Sequence, residues 1–193
     1  MNSWLAPTWR AVRWTPLTTV TLTGVAVVAI ARLGTPRSPT ELGVMTCGAL
    51  AAAASMALDD PAYALLQPMP VTARIRLTHR LALLVPVTAA AATLLILAAR
   101  LFFEGRISQI PSAASLAALV TSAVAARAWL ARRFPEHAAE GGAAAAFGWS
   151  IAGVIVPDSL VPETVALAWL HHPWPVLAIG LTLIVIATGA RTS

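Results

Sequence analysis

The sequence predicts an all-α membrane protein with six transmembrane helices, and three observations carry that expectation. Of the 193 residues, 58% are apolar and only 11% are charged, against roughly a quarter charged in a typical soluble domain. The apolar residues fall into six blocks, each close to the ~20 residues that a helix needs to cross the hydrocarbon core. Of the 13 basic residues, ten lie outside those blocks and Arg32, Arg100 and Arg127 lie near block ends, a spread that is the membrane pattern and not the single patch of a nucleic-acid binder. A mean hydropathy of +0.76 also excludes disorder. Six spans with short connections use up the chain and leave no room for a soluble catalytic domain.

Residues 1–16 come first. Trp4, Leu5, Trp9, Val12 and Trp14 alternate with Arg10 and Arg13, a mixture suited to the headgroup region. Leu5, Trp9 and Val12 recur at helical spacing, so an amphipathic interfacial helix is expected, with Pro16 turning the chain into the first span. That span covers about 17–33 and reads as uncleaved, since no small-residue cleavage site follows it. The second covers about 42–58. It holds Cys47, the one cysteine, which is expected to be a small buried side chain.

Residues 59–80 read DDPAYALLQPMPVTARIRLTHR. The segment is too long for a tight turn and too charged to span. Its two acids and proline suit a helix start. An apolar-then-basic short helix on the inner surface is expected, resting on lipid headgroups or docked in a groove of a partner. The remaining spans are expected at about 81–103, 113–131, 142–157 and 174–190. Between the fifth and sixth, an apolar stretch interrupted by Pro157, Pro162, Pro173 and Pro175 predicts short helices at the outer surface, covered by protein or interface. The alanine runs 51–54 and 143–146 predict close helix contacts.

Placing the N-terminus in the cytoplasm puts nine arginines on inner segments and leaves Arg32, Arg37, Arg100 and Arg106 outside. The positive-inside rule therefore predicts both termini inside. Arg127 precedes the inner Arg132 and Arg133 by about a turn and a half. It reads either as a snorkelling interfacial anchor or as an intramembrane charge.

The stretch from Asp59 to Leu84 resembles the inner loop between the second and third spans of ABC exporter permeases of the type-2 family. Leu65, Leu66, Pro70, Val71 and Thr72, followed by Arg74, Arg76, Arg80 and Leu81 to Leu84, carry the resemblance. The layout of an amphipathic start, six spans and an outer excursion is similar as well. The resemblance implies that residues 59–80 form a cytoplasmic coupling helix seated on a separate ATP-binding cassette subunit. Asp59 and Asp60 would then stand at one end and the arginines at the other. It also implies a second permease subunit, identical or related, with the translocation pathway between the two. The chain itself contains no lysine, so it carries no Walker motif. ATP and Mg would belong to the partner, and no cofactor to this chain. Membrane lipids are the other expected partner. The expected location is the inner (plasma) membrane of a GC-rich bacterium, a source suggested by the heavy alanine and arginine usage.

Two other classes stay open: an accessory or structural membrane subunit, and an integral membrane enzyme. Against a metalloenzyme, there is no H-E-x-x-H motif. Asp59 and His137 also fall on the opposite side of a ~30 Å core from His171 and His172. No metal site is expected. Ser115, Ser122 and Ser150 are scattered through helical runs, where small residues serve packing. No inverted repeat of the kind found in many secondary carriers is evident.

Overall fold

A computed structural model describes residues 9–10, 12–31, 39–59, 73–103, 111–155, 160 and 162–189. Every regular element among them is helical. The long helices are α1 (Trp14–Ala31), α2 (Pro39–Ala57), α3 (Ala73–Phe103), α4 (Ala113–Leu130) and α5 (Ala138–Ile155). After the short α6 (Glu163–Ala166) and α7 (Ala168–His171), the long α8 (Pro173–Gly189) completes the described bundle. A 3-10 turn, Pro135–His137, joins α4 to α5.

Local chemistry explains where several of these helices start. Pro39 and Pro173 open α2 and α8, where a missing N–H costs nothing and the fixed φ suits the helix. Ser112 caps α4, its hydroxyl accepting from the Ser115 N–H at 3.1 Å. Pro16 falls inside the first turn of α1 instead of turning the chain into it, because N–H groups of the first turn lack intrahelical partners anyway. Of the expected interfacial helix 1–16, residues 1–8 and 11 lie outside the described residues. Trp9 and Arg10 are helical, and Trp14 stacks on Trp9 with ring centroids 4.3 Å apart. Val12 does not stay at a surface face: it is buried in the core beside Leu17.

The largest departure is α3. The third span was expected to begin at 81, after a separate surface helix, yet α3 runs unbroken from Ala73. Nothing between Val71 and Val85 breaks a helix, so the basic turns continue straight into the apolar ones. Pro86 lies within α3 without ending it.

The bundle is organised around α2, which packs on α1, α3, α4 and α5. Its closest partner is α5, and α8 packs chiefly on α4. Small residues make these approaches possible. Ala51, Ala54 and Ala146 are buried. A β-carbon on Gly48 would collide with Ser150 of α5. At Gly142 of α5 it would collide with the Ser55 hydroxyl of α2 and fall 2.7 Å from the Ala123 carbonyl oxygen and 2.8 Å from Arg127 Cβ, both of α4, so three helices meet there. Of the two alanine runs, 51–54 is the more deeply placed; Ala144 and Ala145 are exposed. Two apolar clusters result. One gathers Leu17, Leu50, Leu58, Leu84 and Leu95, and the other surrounds the fully buried Trp169 of α7. Cys47 is half-buried and packs against both.

Two helical segments, Thr78–Ala98 and Ala113–Leu130, are long and apolar enough to cross a membrane. Neither is mostly buried as the core helix of a soluble protein would be: 22% of the Thr78–Ala98 window and 39% of the Ala113–Leu130 window are buried. Val85, Leu94 and Leu101 of α3 point outward, as do Ile179, Val185 and Ile186 of α8. Large apolar faces of this kind mark contact with something other than water.

The glycine contacts give a paired test. Gly142→Ala overpacks the three-helix junction and is expected to cost about 1–3 kcal/mol, lowering the melting temperature in detergent. A β-carbon at Gly148 meets nothing within 4 Å. Gly148→Ala should therefore leave the melting temperature unchanged or raise it, by up to ~1 kcal/mol of helix propensity.

Candidate functional site

Three arginines from separate elements converge on the C-terminal end of α2. A helix end leaves carbonyl groups without intrahelical donors, and they carry partial negative charge. Leu58, just past the end, is buried, so leaving its carbonyl unmet would cost about 1–3 kcal/mol. Arg127, in the last turn of α4, donates from Nη2 to the Leu58 oxygen at 2.7 Å. Arg80, only 6% exposed, donates from Nη1 to the same oxygen at 3.3 Å and to the Asp59 oxygen at 3.4 Å. Arg80 lies two turns into α3, beyond the reach of that helix's own positive N-terminal field. Arg13 completes the group. Its backbone N–H donates to the Ala57 oxygen at 3.2 Å, and its Nη1 pairs with Asp59 Oδ2 at 3.1 Å. That ion pair is 54% and 36% exposed on its two sides, so it orients the chain more than it stabilises it, by ~0–1 kcal/mol.

This end of the bundle is where the 59–80 segment leaves and returns. Asp59 starts it and Arg80 closes it, and the Arg80 to Asp59 bond joins the two. Asp60, Leu65, Leu66, Pro70 and Val71 lie outside the described residues. Arg74 and Arg76 lie in the first turns of α3. Asp59, placed by the sequence at one end of the loop, is paired within the chain. Arg127, read from the sequence as a snorkelling anchor or an intramembrane charge, stands in the last turn of its helix and bonds the end of α2.

A groove of about 590 Å³ opens between α4, α5 and α8. It exists because α8 leans on α4 and scarcely meets α5, while the facing side chains are small. Ala125, Ala126 and Trp129 line it from α4, and Ala145, Ala146 and Trp149 from α5. The two helices are antiparallel, so the tryptophans stand at opposite ends. The Trp149 indole N–H donates to the Val165 oxygen at 3.1 Å, tying one end to α6. At the other end, the Arg132 guanidinium lies 5.2 Å from the centroid of the Trp129 ring, within cation–π range.

Sequence reasoning missed both features. The groove had a readable signal in the matching Ala-Ala-x-x-Trp runs at 125–129 and 145–149. For the arginine group, the signal was the inner-side placement of Arg13, Asp59, Arg80 and Arg127 by charge counting. Among the described residues, no cluster of His, Cys, Asp and Glu could hold a metal ion.

Comparison with known proteins gives no match: no family model, no curated protein and no solved structure matches this chain.

Arg127→Met removes the shortest bond to the Leu58 carbonyl and is expected to cost about 1.5–3 kcal/mol. The exposed Arg132→Gln should stay within about 0.5 kcal/mol of wild type. Thermal unfolding of both variants in the same detergent checks the contrast.

Proposed function

We propose that this chain is the membrane-spanning permease subunit of an ATP-driven ABC exporter. In this reading the six long helices cross the inner membrane with both termini cytoplasmic. The chain works as a dimer, and ATP and Mg are bound by a separate ATP-binding cassette subunit. The 59–80 loop couples the two proteins, through Leu65, Leu66, Pro70, Val71, Arg74 and Arg76.

One observation supports the reading above the others. Arg80 bonds the carbonyls of Leu58 and Asp59, so the loop's two ends are joined at its stem. A partner's push on such a loop reaches α2 and α3 together instead of being lost in slack chain. Arg127 bonds the same Leu58 carbonyl and brings α4, one wall of the groove, into the same group. The outward apolar faces of α3 and α8 suit lipid contact on the remaining sides.

Purification from native membranes is expected to yield the chain in stoichiometric complex with an ATP-binding subunit. Leu66→Asp and Arg76→Glu should abolish that association, and with it ATP-driven transport, while membrane insertion is retained. A stable native complex with no nucleotide-binding component would overturn the proposal. So would unchanged complex formation and transport in both variants.

A further inference from the structure

We infer that the groove between α4, α5 and α8 seats one acyl chain of an anionic phospholipid, with the headgroup at Arg132. The inference rests on the membrane-spanning part of the reading above but not on the ABC assignment.

Three observations select this occupant over a helix of a second copy. The first is polarity. The walls are alanine and tryptophan from α4 and α5, with leucine from α4 and valine, isoleucine, glycine and leucine from α8, and Ser122, a polar residue on the lining, turns its hydroxyl back to the Ala118 oxygen at 2.8 Å. The α4–α5 turn brings charge to one end, where exposed Arg132 lies over Trp129 and is followed by exposed Arg133, with exposed Glu136 and Glu140 further on in the 3-10 turn and the first turn of α5. An apolar slot with a guanidinium held over the ring at its mouth complements a molecule with an apolar tail and an anionic head.

The second is length. From Ser122 to Leu130 the α4 wall rises about 12 Å at 1.5 Å per residue. One leaflet of the hydrocarbon core is about 15 Å deep, half of ~30 Å. The slot is therefore about one leaflet deep. The third is orientation. Arg132 and Arg133 lie on the side that charge counting assigns to the cytoplasm, where the leaflet carries anionic lipids that attract basic residues. In that orientation Trp129 would come to the level where tryptophan meets headgroups, and Trp149, bonded to Val165, would border the deep end.

The full chain is reconstituted in nanodiscs holding equal parts phosphatidylglycerol and phosphatidylcholine. Lipid carried over on release is counted by native mass spectrometry. Wild type should retain phosphatidylglycerol in preference to phosphatidylcholine. Arg132→Gln should lower phosphatidylglycerol retention about five-fold, the worth of one basic residue near an anionic surface, and leave phosphatidylcholine unchanged. Ala145→Trp fills the slot from an exposed position and should lower retention of both lipids. Equal retention of both lipids by wild type would overturn the headgroup assignment. Unchanged retention in Ala145→Trp would overturn the seat. Loss of a dimer in Ala145→Trp with lipid retention unchanged would give the groove to a second copy instead. None of these readouts involves an ATPase, so a failed ABC assignment leaves the result interpretable. Failure of the chain to enter nanodiscs would overturn the membrane-spanning reading and this inference together.

Discussion

The carbonyl end of α2 is the constraint on which the arrangement of the other helices depends. Its last carbonyls face the interior, where Leu58 is shielded from water, so protein donors must meet them. Guanidinium groups can do so from a distance, since a long apolar stem carries several donors in a fixed fork. Arg13 arrives from the segment before α1, Arg80 from α3 and Arg127 from α4. Each bond satisfies a local need of α2. Together they set the ends of four helices against one another. A lysine would offer a compact, strongly hydrated charge and would suit this buried bridging position less well.

Away from that end, cohesion is a matter of shape. In the proposed membrane-spanning reading, helices surrounded by hydrocarbon gain little from hiding apolar side chains and associate instead by close packing. Gly48 against Ser150, and Gly142 against Ala123 and Arg127, allow the backbones of α2, α4 and α5 to approach. The same preference for small side chains creates the groove. Where α5 finds a partner in α2, alanine gives contact. Where α8 turns to α4 and leaves α5, the alanines at 125, 126, 145 and 146 face space. Tight junction and open slot thus arise from one compositional choice, separated only by which helix lies opposite.

That dependence on the opposing helix explains how far the sequence could be read. Helix positions were legible because apolar blocks and polar breaks are local signals, and Pro39 and Pro173 mark starts directly. The start of α3 was not. Residues 73–80 are polar enough to suggest a surface piece, but charge does not end a helix, and no breaker stands there. Alanine runs announced close contacts without naming partners. The arginine group was half legible. Charge counting put Arg13, Asp59, Arg80 and Arg127 on one side, but which carbonyls they meet depends on side-chain reach across three helices. The groove was the hardest to read, because it is made of side-chain volume that is missing.

The pairing inside the chain also changes what the proposed coupling loop can offer a partner. Asp59 is paired with Arg13, and Arg80 is committed to the end of α2, so both charges at the stem already have partners within the chain. Exposed ion pairs contribute only ~0–1 kcal/mol each in any case. Under the proposed reading, the work of docking therefore falls on the apolar centre, Leu65, Leu66, Met69 and Val71, whose burial against a partner would give more per residue than any surface charge. The charges then serve the stem. In that reading the Arg80 bonds to the Leu58 and Asp59 carbonyls brace the stem, so that force applied to the loop would reach α2 and α3 together. A division of labour of this kind, with apolar residues for docking and charges for the stem, would suit the transmission of movement better than one whose charges were spent on the partner.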